Sequence, residues 1–217
     1  MQPKDDPTGK WGGQWIQVPP IGFPPKLPKG VDRGTWLLLT QQTQNVISKL
    51  RSRKGKDPSV AANLNILSGP SGIGKSCLVL AVALFLRQHD KENILYVADA
   101  GNLVKQARSS MTSDISLSRS LVKLLVDLTR QQNPGDFTNK LFPPGTCDDM
   151  DFGMWDFASK LNDHNFVVII DEQGRAFTDL ENAKDNFSFG LIYPNFYIDC
   201  GNNLRVVLTG SSQSKLD

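Results

Sequence analysis

Two short stretches of this chain carry residue types at spacings that could handle a polyphosphate. In the first, Gly69-Pro70-Ser71-Gly72-Ile73-Gly74-Lys75-Ser76 satisfies G-x-x-x-x-G-K-[ST] at every position, and Cys77 follows it. Such a turn must bare successive backbone N–H groups toward phosphate oxygens, and Gly69, Gly72 and Gly74 can take backbone angles that a Cβ would forbid. Lys75 then supplies a positive charge for the outer phosphates, and Ser76 a hydroxyl for Mg²⁺. A helix starting there would aim its positive end at the anion. In the second stretch, Phe166-Val167-Val168-Ile169-Ile170 ends abruptly in Asp171-Glu172. A carboxylate at that place can hold Mg²⁺, and one a step further on can orient a water for in-line attack on the terminal phosphate. Asp171 and Ser76 are therefore the metal candidates, Glu172 and Lys75 the catalytic ones.

These are the Walker A and Walker B patterns, and each needs a strand to deliver it. Leu64-Asn65-Ile66-Leu67 is mostly apolar and leads into the glycine turn. The run from Cys77 to Leu86 is apolar on every side, which implies a helix buried on all faces. A second strand is predicted over Asn93-Ile94-Leu95-Tyr96-Val97-Ala98-Asp99-Ala100, apolar throughout as buried parallel strands are. Leu121, Leu124, Leu125 and Leu128 predict a helix near Ser118 to Thr129, and a further helix is predicted near Asp151 to Leu161. Between Gln131 and Asp149 the Pro, Gly and Asn content reads as loop. The last strand runs through Leu204-Arg205-Val206-Val207-Leu208 into Thr209-Gly210-Ser211. Ligands of open parallel sheets gather at the strands' carboxyl ends, so the motif-bearing ends should converge.

Residues 1–34 hold most of the prolines and read as a Pro-rich arm, residues 35–217 as one α/β domain, incomplete at its C-terminus. The arm cannot be a helix or a central strand. Trp11, Trp15 and Phe23 suggest that it wraps on something; a polyproline ligand for a partner module is the alternative. Thr35 is predicted to cap a helix from Trp36 to Ser52, carried by Leu38, Leu39, Val46, Ile47 and Leu50. The basic run Arg51-Ser52-Arg53-Lys54-Gly55-Lys56 at its end reads as a solvated helix terminus, with nucleic-acid contact as the rival reading.

Composition narrows the classes. A net charge of +2 is too small to announce a nucleic-acid partner, and 39% hydrophobic residues suffice for a core. No window has the length of a membrane span and the N-terminus lacks a signal peptide's apolar stretch, so the chain reads as intracellular and not membrane-bound. Cys77, Cys147 and Cys200 are odd in number and far apart, implying neither a disulfide framework nor zinc. Cys77 is expected to pack as a small apolar group.

Ile66 to Ser76, Asn93 to Ala100, Ile170-Asp171-Glu172-Gln173 and Leu208-Thr209-Gly210-Ser211-Ser212 together resemble the AAA+/STAND-type P-loop NTPases. Within these, the chain is most similar to the NTPase domain of Crinkler-type effector proteins and the related trypanosome retrotransposon hot spot proteins. The similarity covers roughly residues 60 to 217. The mitochondrial-ribosome death-associated GTPase is similar in the first two stretches, and the Crinkler header motif has no counterpart before residue 60. The resemblance implies a three-layer α/β domain of the additional-strand class. Its parallel sheet would run Walker A strand, terminal strand, Walker B strand, second strand. It also implies Mg²⁺ and ATP as cofactors and slow ATP hydrolysis. A polar residue at the end of the terminal strand would sense the γ-phosphate, with Thr209 and Ser211 as candidates. Arg175 and Arg205 are the arginines nearest to motif ends. A Crinkler would be secreted into host cells and act in the nucleus. Alternatives are a nucleotide-gated scaffold, a GTP-binding module, or the NTPase half of a protein acting on nucleic acid. Self-association at the sheet edge beside the Walker A strand is expected, as is poor base selectivity unless the arm supplies base contacts.

Overall fold

The computed structural model describes residues 14–52, 64–70, 72–112, 116–147, 152–172 and 204–210. Its centre is a parallel sheet of four strands: β3 (Leu64–Leu67), β4 (Ile94–Val97), β5 (Val167–Ile170) and β6 (Arg205–Thr209). The order is β3-β6-β5-β4, as the sequence reading implied, with the registers Ile66↔Leu208, Val168↔Val206 and Tyr96↔Ile169. Placing the glycine-turn strand beside the terminal strand, and that one beside the Asp171 strand, brings all three carboxyl ends to one edge of the fold.

Strand side chains alternate between two cores. Leu95, Val97, Val168, Ile170, Val206 and Leu208 face one layer, built from α3 (Ala100–Ser109), α4 (Leu117–Gln132) and α6 (Met154–Asp163). Ile94, Tyr96, Val167, Ile169 and Val207 face the other, where α1 (Gln41–Ser52) and α2 (Lys75–Gln88) pack. Period-two alternation on a sheet covered on both faces is what a continuously apolar strand requires. α2 buries every residue from Val79 to Leu84 together with Leu86, the expected outcome for a helix without a polar face.

The segment before α1 differs from the sequence reading. Trp36–Leu39 is a strand, β2, paired antiparallel with β1 (Gln14–Gln17). Leu37 and Leu39 alternate inward, so the local period is two, and four apolar residues in a row are too short a window to separate that from 3.6. The helix starts at Gln41, and its capping hydroxyl is that of Thr40, which accepts from the Thr43 amide at 3.2 Å; Thr35 is not the cap. Thr43, Val46, Ile47 and Leu50 then form its buried stripe. The hairpin joins residues on either side of position 34. Between its strands the chain makes a strap held by Arg33, whose guanidinium donates to the carbonyls of Pro19 (3.3 Å) and Pro24 (2.5 Å). Phe23 meets Tyr96 edge-on, with ring centroids 6.5 Å apart. Trp11 lies outside the described residues.

Other boundaries shift by less. The second strand is shorter than predicted, because Asp99 turns the chain and caps α3, accepting from the Asn102 amide at 2.9 Å. α3 itself was missed, as was α5 (Asp136–Leu141) inside the expected loop. Of the basic run, Arg51 is engaged with Asp90 (2.7 and 2.5 Å) and stacks over the Phe85 ring at 4.9 Å; residues 53–56 lie outside the described residues.

The outer rim of β4 is closed by side chains. Gln132 receives the Tyr96 amide at 2.7 Å and donates to the Tyr96 carbonyl at 2.6 Å. Asn133 does the same for Ile94, at 3.0 and 2.7 Å. Two amides at the end of α4 thereby imitate a neighbouring strand. Asn133→Leu should cost about 1–3 kcal/mol, because it strands a buried backbone donor and acceptor, and a lowered urea midpoint would register it.

Candidate functional site

Asp171 is 1% exposed at the end of β5. Its amide donates to the Val97 carbonyl (2.8 Å) and its carbonyl accepts from the Ala100 amide (3.1 Å), so its backbone is fixed to the end of β4. Its Oδ1 accepts from the Thr209 hydroxyl and from the Glu172 amide (3.0 Å), and that amide also donates to Thr209 Oγ1 (3.0 Å). Thr209 thus ties the ends of β5 and β6 together and orders both carboxylate residues. Oδ2 makes no hydrogen bond among the described residues, and the Ser76 hydroxyl faces the same carboxylate. Burial raises the Asp171 carboxyl above its ordinary range. The hydroxyls of Ser76 and Thr209 and the Glu172 amide oppose this, while the Asp99 charge adds to it.

Glu172 has φ 54°, a left-handed conformation that a side chain of its kind rarely adopts. Residues kept in such conformations cluster at functional sites, and here the two bonds to its amide hold it.

The glycine turn takes backbone conformations that glycine alone adopts easily. Gly69, Gly72 and Gly74 have φ of 147°, 85° and 85°, and a Cβ on Gly69 would come within 2.7 Å of Ile73 Cδ1. Gly74 precedes α2 and no side chain caps the helix, which leaves the amides of its first turn for another acceptor. Lys75 Nζ donates to the carbonyls of Gly69 (2.8 Å) and Pro70 (2.7 Å), folding back along the loop. Ile73 is exposed on the lip. Cys77, expected to pack as a small apolar group, is exposed in the first turn of α2.

The sequence candidates Ser76, Asp171, Glu172 and Thr209 come together. Ser71, Ser211 and Arg175 lie outside the described residues. Arg205 does not join the site: it starts β6, four strand positions before Thr209 and therefore at the opposite end of the sheet, roughly 13 Å away at strand rise. Its guanidinium is buried against Glu92 (3.2 and 2.9 Å) and the Asn165 carbonyl (2.9 Å).

Sequence reasoning missed what lies beyond Ser76. A cavity of about 550 Å³ opens there, lined by Asp171 and Glu172, by residues of α3 and α4, and by strap residues 25–29. Asp99 was visible as a polar residue ending an apolar run, which is a local cue. The strap's approach depends on a contact between Phe23 and Tyr96, for which no local signal exists. Among the described residues, no cluster of three or more His, Cys, Asp or Glu side chains could hold a metal by itself, and no helix is long and apolar enough to cross a membrane.

No protein-family model matches the chain, and no curated protein matches it. Among solved structures it is similar to "Structure of C. elegans PCH-2", at 20% identity and a TM-score of 0.40, over 82% of this chain and 38% of that one. What stands by the chain's own geometry is an α/β domain whose four-stranded parallel sheet gathers a glycine turn, a buried aspartate and a strained glutamate at one end.

Proposed function

We propose that this chain binds Mg-ATP across the glycine turn and hydrolyses it slowly. The observation that carries the reading is the Asp171 carboxylate, buried and unbonded at Oδ2, with the Ser76 hydroxyl facing it. A buried carboxylate oxygen left without a donor costs energy unless a cation completes it, and a hydroxyl and a carboxylate are the oxygen ligands that Mg²⁺ accepts. Ser76 and Asp171 would hold the ion, which when bound neutralises charge between the outer phosphates. The turn amides and Lys75 hold the phosphate chain. Thr209 keeps Glu172 where its carboxylate can accept a proton from the attacking water. An arginine finger alone can contribute roughly 10³–10⁵ in rate, and Arg175, the arginine that follows Glu172, lies outside the described residues. A nucleotide-gated scaffold is the second reading. The Crinkler-like assignment rests on residues 93–100 and 208–212, and nucleic-acid action on it and on the basic run.

Phosphate release by the wild type and by Glu172→Gln decides between hydrolysis and scaffold. The substitution should lower turnover by about 10²-fold or more while ATP affinity stays within a few-fold; equal rates would leave the scaffold reading. Competition of GTP against ATP in the same assay reads base preference.

The fold disfavours the charged form of Asp171, so a proton competes with the cation as pH falls. Affinity for ATP with Mg²⁺ should weaken as pH falls below neutral, more than in Asp171→Asn, which has no such proton to bind. For stability the sign reverses: the penalty of a buried carboxylate is relieved as pH drops through its raised value.

A further inference from the structure

The cavity beyond Ser76 has the position and lining of a second substrate site. Of the described turn residues only Ser76 borders it, and Asp171 and Glu172 border it too, so it adjoins the proposed Mg-ATP site. Its volume falls within the range of about 300–1,000 Å³ typical of small-molecule sites. Leu103, Leu124 and Leu128 of the helices and Pro25, Leu27 and Pro28 of the strap supply its apolar lining. Asn102, Gln106 and Gln131 place amide groups around the space, and such groups pair with both donors and acceptors. Asp99 and Asp127 stand on the walls, so a ligand carrying its own phosphate would be repelled. Lys26 and Lys29, the cations of the lining, are exposed on the strap.

We infer that this cavity seats an uncharged, flat, hydroxyl-bearing molecule of nucleoside class, which accepts the terminal phosphoryl group from ATP at the Asp171–Glu172 end. The inference rests on the proposed Mg-ATP site. In the step, a ligand hydroxyl oxygen forms a bond to the γ-phosphorus as the bond from that phosphorus to the β,γ-bridging oxygen breaks. Glu172 takes the hydroxyl proton, and ADP and a phosphorylated ligand leave. Hydrolysis is then the leak that occurs when water occupies the acceptor position.

The test uses the full chain with adenosine, guanosine, cytidine and uridine as probes, each titrated calorimetrically with and without Mg²⁺ and a non-hydrolysable ATP analogue. At least one nucleoside should bind alongside the analogue. Gln106→Ala, at a half-exposed position that does not threaten folding, should weaken it about tenfold, the loss of one hydrogen bond. Leu128→Trp should abolish it while leaving affinity for the ATP analogue unchanged. With ATP itself, the bound nucleoside should appear as its monophosphate. The inference is overturned if no nucleoside binds, if binding survives Leu128→Trp, or if the nucleoside displaces the ATP analogue; binding with phosphate passing only to water overturns the acceptor role. Failure of ATP to bind would instead sink the Mg-ATP reading, and nucleoside titration of the nucleotide-free chain still tests the cavity.

Discussion

A Lys75→Ala chain titrated with Mg-ATP should give almost no heat. Lys75 is the side-chain cation of the turn, and its ammonium already lies along the loop, on the Gly69 and Pro70 carbonyls. Reaching the phosphates exchanges those two contacts for charge-assisted ones, each worth about 1.5–3 kcal/mol. Losing two of them weakens binding by more than about a hundredfold. The thermal midpoint should barely move, because the ammonium's bonds are to loop carbonyls and not to the core. Unchanged affinity would remove the nucleotide from this turn altogether.

Arg205→Ala is the substitution with the largest expected effect on stability. The guanidinium makes a two-point pair with Glu92 and also donates to the Asn165 carbonyl, all in a region closed to water. Removing it takes the guanidinium away from a buried carboxylate, and breaking one side of such a pair typically costs about 3–5 kcal/mol. For a chain of this size that corresponds to roughly 6–20 °C in the unfolding midpoint. Replacing both partners by apolar residues, Arg205→Met with Glu92→Leu, should recover much of the loss, though not the hydrogen bond to Asn165. Turnover per folded molecule should be unaffected, since the pair lies at the far end of the sheet from Asp171. A loss of turnover at full stability would return Arg205 to the catalytic site.

Ser76 and Asp171 were legible because they rest on strong local signals: a glycine turn before an apolar helix, and an apolar run stopped by two carboxylates; the strand order and the place of Thr209 came from the resemblance to additional-strand NTPases and not from the residues alone. Trp36–Leu39 was misread because Leu38 and Leu39 fit a helix continuing from Gln41 as well as they fit a strand, and only the partner at Gln14–Gln17 decides. α3 went unseen because its buried positions are Ala100, Gly101, Val104 and Ala107, too small to make an apolar stripe stand out. The place of Arg205 was illegible for a different reason. Its partner Glu92 is far away in sequence, and an arginine opening a strand looks the same whether it faces water or a buried carboxylate.

The amides of Gln132 and Asn133 also govern how copies of this chain could associate through their sheets. With that rim of β4 saturated, β3 is the end of the described four-stranded sheet at which an added strand could dock. Two copies meeting there about a two-fold axis would share one continuous sheet, four strands from each, with both outer rims already closed. Growth would end at the pair. An open-ended stack, the usual hazard of exposed strand edges, needs two receptive rims per copy, and the described four-stranded sheet leaves one.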